Sequence, residues 1–273
     1  MKKNKSLLLS GPYILWMLVF TLIPLGVVGY YALTDPDTGA FTWGNIRDLW
    51  LFLPTLGTSV WYSLVSALIC LLLGYPVAYY IAHRQATTQK ILYMLVMLPM
   101  CMSFLLRTLA WVGLLETNGI INRLLNLLGI GSVTMIGTSG AVILGMVYNY
   151  LPYMILPLYA IIVKIDNRLI EAAEDLGCTP VQVFARVILP LSMPGILSGI
   201  TMVFVPAVST FYISQKLGGT DTMLIGDVIE RQFKSAGNPN LGAALSLVLM
   251  LLVFICTGIM NRFGSDEEGG VVV

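Results

Sequence analysis

The sequence predicts an all-α polytopic membrane protein with six transmembrane helices. Three observations carry this. Hydrophobic residues make up 57% of the chain and charged ones 11%, whereas a soluble domain carries about 25% charged residues. Six apolar stretches are each long enough to cross roughly 30 Å of hydrocarbon as a helix. The short segment before the first stretch and the loop after the second hold Lys2, Lys3, Lys5, Arg84 and Lys90 with no acid, the cation bias of cytoplasmic loops. The net charge of +1 offers no basic face for nucleic acid.

The first stretch, Tyr13–Leu33, follows three lysines as a signal peptide would. It is too long for a signal h-region and holds Pro24, so it reads as a retained span. The others are Ser59–Ala82, Ile91–Leu115, Gly140–Val163, Leu191–Ile213 and Leu241–Met260. An even number places both termini on one side, the cytoplasmic one by the cation bias. Residues 1–12 then form a cytoplasmic N-terminus, 13–263 the transmembrane domain and 264–273 a disordered tail. Between spans three and four, Ile120, Ile121, Leu124, Leu125, Leu127 and Leu128 make one helical stripe. Asn118 could cap its start and Gly129 its end, which predicts a short helix at the outer interface. Ser214–Asn240 is longer and more polar than a turn requires. Cys70, Cys101, Cys178 and Cys256 form no C-x-x-C pair, and Met94, Met97, Met100 and Met102 crowd span three. Both sets read as packing residues.

Lys164–Pro190, between spans four and five, is polar but not loop-like. Asp166 or Asn167 can cap a helix through Glu171, Ala172, Ala173 and Glu174, with Gly177 as its stop. Thr179-Pro180-Val181-Gln182 is a capping box with proline at the first helical position. It starts a second helix running toward Pro190. The outcome is a helix, a sharp turn and a helix on the cytoplasmic side.

This stretch resembles the EAA loop of ABC importer permeases: Glu171-Ala172-Ala173, three residues, Gly177, nine residues, then Val187-Ile188-Leu189-Pro190. Val187 stands where that family usually has isoleucine. The resemblance implies a type I importer (MetI-like) permease fold in the bacterial cytoplasmic membrane. It also implies that the elbow is the coupling helix, with Glu171, Ala172, Ala173, Gly177 and Pro190 meeting a separate ATPase. The chain has no G-x-x-x-x-G-K-[ST] phosphate loop. No cofactor is expected in this chain, and ATP and magnesium belong to the partner.

Further matches include Gly74-Tyr75-Pro76-Val77-Ala78-Tyr79-Tyr80, Arg107-Thr108-Leu109-Ala110-Trp111, Leu151-Pro152-Tyr153 through Tyr159, and Leu224-Ile225-Gly226-Asp227. Together they look like the spermidine/putrescine (PotB-like) permeases. That likeness implies a PotC-like second permease, a PotA-like ATPase dimer and a PotD-like extracytoplasmic binding protein. Related permeases carry opines, aminophosphonates or iron complexes, which are the alternatives within transport. A polycation pathway needs spaced carboxylates and aromatic faces. Trp111, Glu116, Tyr148, Tyr153, Tyr212, Asp227 and Glu230 are the candidates. Each aromatic also fits an interfacial belt, and each acid a solvated loop. Arg107, a cation within a span, is expected to snorkel outward or to stack on Trp111.

Two rival classes fail on the residues. An intramembrane serine protease would use Ser139 of Gly137-Thr138-Ser139-Gly140, but the lone histidine, His83, falls at the opposite end of the spans. A secondary transporter would show inverted repeats, and none is visible.

Overall fold

The computed structural model describes residues 13, 15–36, 38–234 and 237–268. The expected N-terminal segment 1–12 and residues 269–273 of the expected tail lie outside them. The helices in chain order are α1 (Leu15–Ala32), α2 (Gly44–Asp48), α3 (Leu53–Ala82), α4 (Ala86–Met97), α5 (Phe104–Leu115), α6 (Ile120–Leu127) and α7 (Ser139–Ile162). Then come α8 (Asn167–Asp175), α9 (Pro180–Leu191), α10 (Met193–Val208), α11 (Tyr212–Leu217), α12 (Ile225–Lys234) and α13 (Pro239–Glu268). Five helical stretches are long and apolar enough to cross a membrane, and six if the bent pair α9–α10 is one span. The fold is all-helical apart from one isolated bridge, Thr34 to Phe41, among the described residues.

Prolines shape several of these helices. A helical proline gives no N–H and its ring crowds the carbonyl four residues earlier. The chain widens into π-helical turns just ahead of two of them, at Leu18–Leu22 before Pro24 and at Phe184–Ile188 before Pro190. In the second, the Leu189 N–H reaches back to the Phe184 carbonyl, five residues earlier. A break at Ser192 follows, and α9 and α10 meet at 63°.

The chain divides into two units, each described by itself. One holds Met1–Pro54 and Val228–Leu252, the other Thr55–Asp227 and Val253–Val273. In the first, Ala32, Ala243 and Ala244 pack together with Val28, Leu49 and Leu247. The Thr34 carbonyl accepts from Asn45 at 2.9 Å and from Asn240 at 2.6 Å. Two buried amides thus satisfy the backbone where α1 ends, which apolar surroundings require.

In the second unit α7 is the central element. Met154 is fully buried between α3 and α10, and a Cβ at Gly74 or Gly199 would lie 3.1 or 2.6 Å from its side chain. Small residues here permit close helix approach, as is usual in lipid. Gly145 plays the same part against Ile213 and Leu217 of α11. The Ser59 hydroxyl donates to the Thr55 carbonyl at 2.8 Å and accepts from the Ile225 N–H at 2.7 Å.

Several expectations change. The stretch Ile91–Leu115 is not one helix: α4 ends at Met97, a 3-10 turn covers Leu98–Cys101, and α5 begins at Phe104. Pro99 sits in that turn, where the missing N–H ends the α-helical ladder. By length and composition the qualifying stretch is Phe104–Leu127. Ring contacts nevertheless place both halves along α7, Tyr93 on Tyr159 at 5.2 Å and Trp111 on Tyr148 at 5.3 Å. Asn118 does not cap α6. Gly119 occupies the cap position, and the Asn118 carbonyl accepts from Arg123. Gly129 does end α6, at φ +76°. The polar stretch Ser214–Asn240 is largely helical, through α11 and α12. Helix α13 continues to Glu268, so the tail expected from 264 onward starts inside a helix.

Candidate functional site

The elbow is built from local rules. Asp166, not Asn167, caps α8: its carboxylate accepts the Arg168 N–H at 3.0 Å. At the other end the Gly177 N–H bonds to the Glu174 carbonyl at 2.8 Å and the Cys178 N–H to Ala173 at 3.1 Å. These are the two bonds of a Schellman stop. Gly177 takes φ +83°, a left-handed conformation that side chains with a Cβ resist. The capping box is complete. The Thr179 N–H donates to the Gln182 side chain at 2.9 Å, and the Gln182 N–H to the Thr179 hydroxyl at 3.4 Å. The turn is therefore specified at both flanks.

Glu171 and Ala172 of the elbow are exposed, Ala173 is half-buried, and Gly177 and Pro190 are exposed. The structure adds two residues that the sequence reading passed over. Leu176 is 86% exposed and Val181 76%. They flank the reversal, on a polar segment where bare leucine and valine have no solvation reason to stand. Only the fold shows them without partners, since an amphipathic helix ordinarily buries such residues.

The second candidate region is the junction of α5, α7 and α11. Trp111 meets Tyr148 edge-on at 5.3 Å, Tyr150 meets Tyr153 at 6.3 Å, and Phe104 meets Tyr212 at 6.3 Å. The Lys216 ammonium lies 5.8 Å from the Tyr212 ring centre. Glu116 is exposed at the end of α5. Asp227 is 4% exposed, and one of its oxygens accepts the Leu224 N–H at 2.8 Å. That is a structural duty at the start of α12. Glu230, in the other unit, pairs with Lys234 at 2.7 Å.

Arg107 departs from both expected roles. It neither reaches the surface nor stacks on Trp111, whose ring is engaged by Tyr148. It is 5% exposed, and among the described residues its Nε and Nη1 have no hydrogen-bond partner. A guanidinium buried in a span with two nitrogens unpaired is costly by several kcal/mol or more. Arg107→Met, of similar length, is expected to leave the melting temperature in detergent unchanged or raised. A fall of several degrees would mean that the native packing already compensates the charge.

His83 and Ser139 fall at opposite ends of α7. His83 borders a cavity with Ile162 and Val163, and Ser139 is the first residue of this 24-residue helix, about 36 Å away by helical rise. The Thr138 hydroxyl accepts the Ala141 N–H at 3.2 Å. Gly137–Gly140 is thus a turn and cap leading into the helix, not a nucleophile site.

Residues 70–265 match the family described as binding-protein-dependent transport system inner membrane component. The chain is 40% identical to the spermidine/putrescine transport system permease protein PotB of Haemophilus influenzae over 253 residues, 88% of each chain. It is 37% identical to PotB of Escherichia coli K12, covering 87% of this chain and 90% of that one. A bacterial alginate ABC transporter, solved in complex with a periplasmic protein carrying an alginate pentasaccharide, superposes with a TM-score of 0.79. The match has 18% identity over 97% of this chain and 96% of that one. Such identity speaks for the fold alone. The chain is a multi-pass transport permease and not an enzyme, and it belongs to the family of binding-protein-dependent transport system inner membrane components.

Proposed function

We propose that this permease forms half of the pathway of an ATP-driven importer of spermidine and putrescine. The carrying observation is 40% identity to a PotB permease across 88% of both chains. The aromatic junction supports it. Lys216 already sets an ammonium against the Tyr212 ring, the contact that a polyamine amine would make. Trp111, Tyr148 and Tyr153 supply further faces, and several shallow contacts pass a polycation along better than a single deep well. Glu116 offers an exposed carboxylate. Asp227 and Glu230 would contribute negative potential.

Both termini face the cytoplasm in this reading. The elbow, through Glu171, Ala172, Ala173 and Gly177, enters a cleft on a PotA-like ATPase, where ATP and magnesium are held. Pro190 and the bend at Ser192 transmit its movement to α10. A PotC-like permease supplies the other half of the pathway, and a PotD-like protein delivers the substrate.

The test is uptake of labelled spermidine by proteoliposomes holding this chain with its companion permease, ATPase and binding protein. ATP-dependent uptake that putrescine competes is expected. Absent uptake, in an assembly whose ATPase still responds to its binding protein, would overturn the polyamine and leave the importer. Trp111→Leu keeps the bulk apolar but removes the ring. It is expected to raise half-saturation for spermidine about 2- to 30-fold, the range of a cation–π contact. An unchanged value would return Trp111 to a packing role.

A further inference from the structure

A cavity of about 310 Å³ opens at the end of the second unit where α3 and α7 finish and the elbow begins. This is the size of a small-ligand pocket. Ile162, Ile170 and Ile188 line it together with His83, Arg84, Gln89 and Asn167, and most of the lining surface is polar. No acidic residue lines it. The nearest acids along the chain are Asp166, which is spent on capping α8, and Glu171, which is exposed.

Among His83, Arg84 and Gln89, the glutamine is spent on a turn, whereas Arg84 and one nitrogen of His83 are not. Gln89 donates to the carbonyls of Ala82 and Arg84, both at 2.8 Å, and so closes the turn from α3 to α4. The His83 ring lies on Tyr79 at 4.1 Å, with Nδ1 2.9 Å from the Tyr79 carbonyl. That contact orients Nε2 away from its own helix. The Arg84 guanidinium lies over the Tyr80 ring at 4.1 Å, which fixes its plane while leaving its N–H edges open. Among the described residues neither the guanidinium nor His83 Nε2 has a hydrogen-bond or ion-pair partner. Two nitrogen groups without a counter-charge therefore border a cavity whose lining holds no acid.

We propose that this cavity binds a phosphate group, with Arg84 as the principal ligand and His83 beside it. A planar guanidinium pairs with phosphate through two parallel bonds. The isoleucines among the lining residues have nothing to offer a free anion but suit the first methylenes of a phospholipid. The cavity also lies where transmembrane helices end, in reach of headgroups, and anionic lipids collect at basic cytoplasmic faces. An anionic phospholipid is thus the expected source. Because Ile170 belongs to α8, occupancy would brace the elbow. That consequence rests on the coupling reading, but the binding does not.

The experiment is native mass spectrometry of the full chain co-purified with its companion subunits. The particles are first exchanged into mixed micelles holding phosphatidylglycerol or phosphatidylcholine, with and without inorganic phosphate. The wild type is expected to retain phosphatidylglycerol over phosphatidylcholine. Arg84→Met is expected to retain it about 10-fold less or worse, the scale of a lost charge-assisted pair. Arg84→Lys should recover part of the loss. Lys90→Met removes a cation that does not line the cavity and should match the wild type. Loss of bound lipid on adding inorganic phosphate to the wild type, with phosphate retained in an Arg84-dependent way, supports the site and makes free phosphate its occupant. Retention that is the same in Arg84→Met, or lost equally in Lys90→Met, overturns the proposal. Both readouts are independent of transport, so a failed polyamine assay leaves them standing.

Discussion

Replacing Gly177 by valine is expected to abolish coupled uptake, by about 10-fold or more, while the chain still inserts in the membrane. The argument is conformational. Nothing lies within 4 Å of a Cβ built at Gly177, so the substitution meets no neighbour. The backbone is at φ +83°, however, a region that costs an L-residue about 1–2 kcal/mol and is a true outlier for a β-branched one. Valine would relieve the strain by leaving the left-handed region. That breaks the bonds from Gly177 to Glu174 and from Cys178 to Ala173, and re-aims α8 relative to α9. Asparagine tolerates this region better, so Gly177→Asn should retain much of the activity and Gly177→Ala should fall between. The measurement is spermidine uptake alongside ATPase co-purification for the series. Equal activity across all three would show that the angle between α8 and α9 is not what transmits the ATPase movement.

Putting aspartate at both Leu176 and Val181 is expected to detach the ATPase. These side chains are 86% and 76% exposed. Burying each in a partner would contribute about 1.5–3 kcal/mol, so the pair accounts for roughly 3–6 kcal/mol, or about 10²- to 10⁴-fold in affinity. Neither residue helps to hold the elbow's own turn: the caps are Asp166, Gly177, Thr179 and Gln182. The double variant should therefore fold and insert normally yet lose ATPase on size-exclusion chromatography. Retention of the ATPase at wild-type stoichiometry would remove both from the docking face and leave Glu171 and its neighbours to explain the contact.

The elbow was legible because its determinants are local. A capping box spans four residues and a Schellman stop six, so both can be read without knowing what surrounds them. Gly177 and the Thr179–Gln182 box stand as read, and only the choice between Asp166 and Asn167 needed coordinates. The third stretch was misread for the complementary reason. Hydropathy counts Pro99 as one residue in an apolar run, but the hydrogen-bond ladder registers its missing N–H and breaks. Arg107 was misjudged because it was taken to snorkel outward or to stack on Trp111, whereas it is buried, with two donors unpartnered among the described residues. The burial of Asp227, which holds the Leu224 N–H, was likewise not visible in the sequence.

The amino-acid sequence alone determined the membrane class, the helical content, the elbow and the family likeness. These depend on hydropathy summed over a span, or on bonds between residues a few positions apart. The tertiary structure alone decided which aromatic rings meet, which small residues admit a neighbouring helix, and which apolar side chains stay bare. Those outcomes rest on contacts between distant positions, such as Ser59 with Ile225 or Tyr75 with Ser192. In lipid the solvent does not sort apolar residues inward, so composition leaves packing undetermined and close-fitting side chains must settle it.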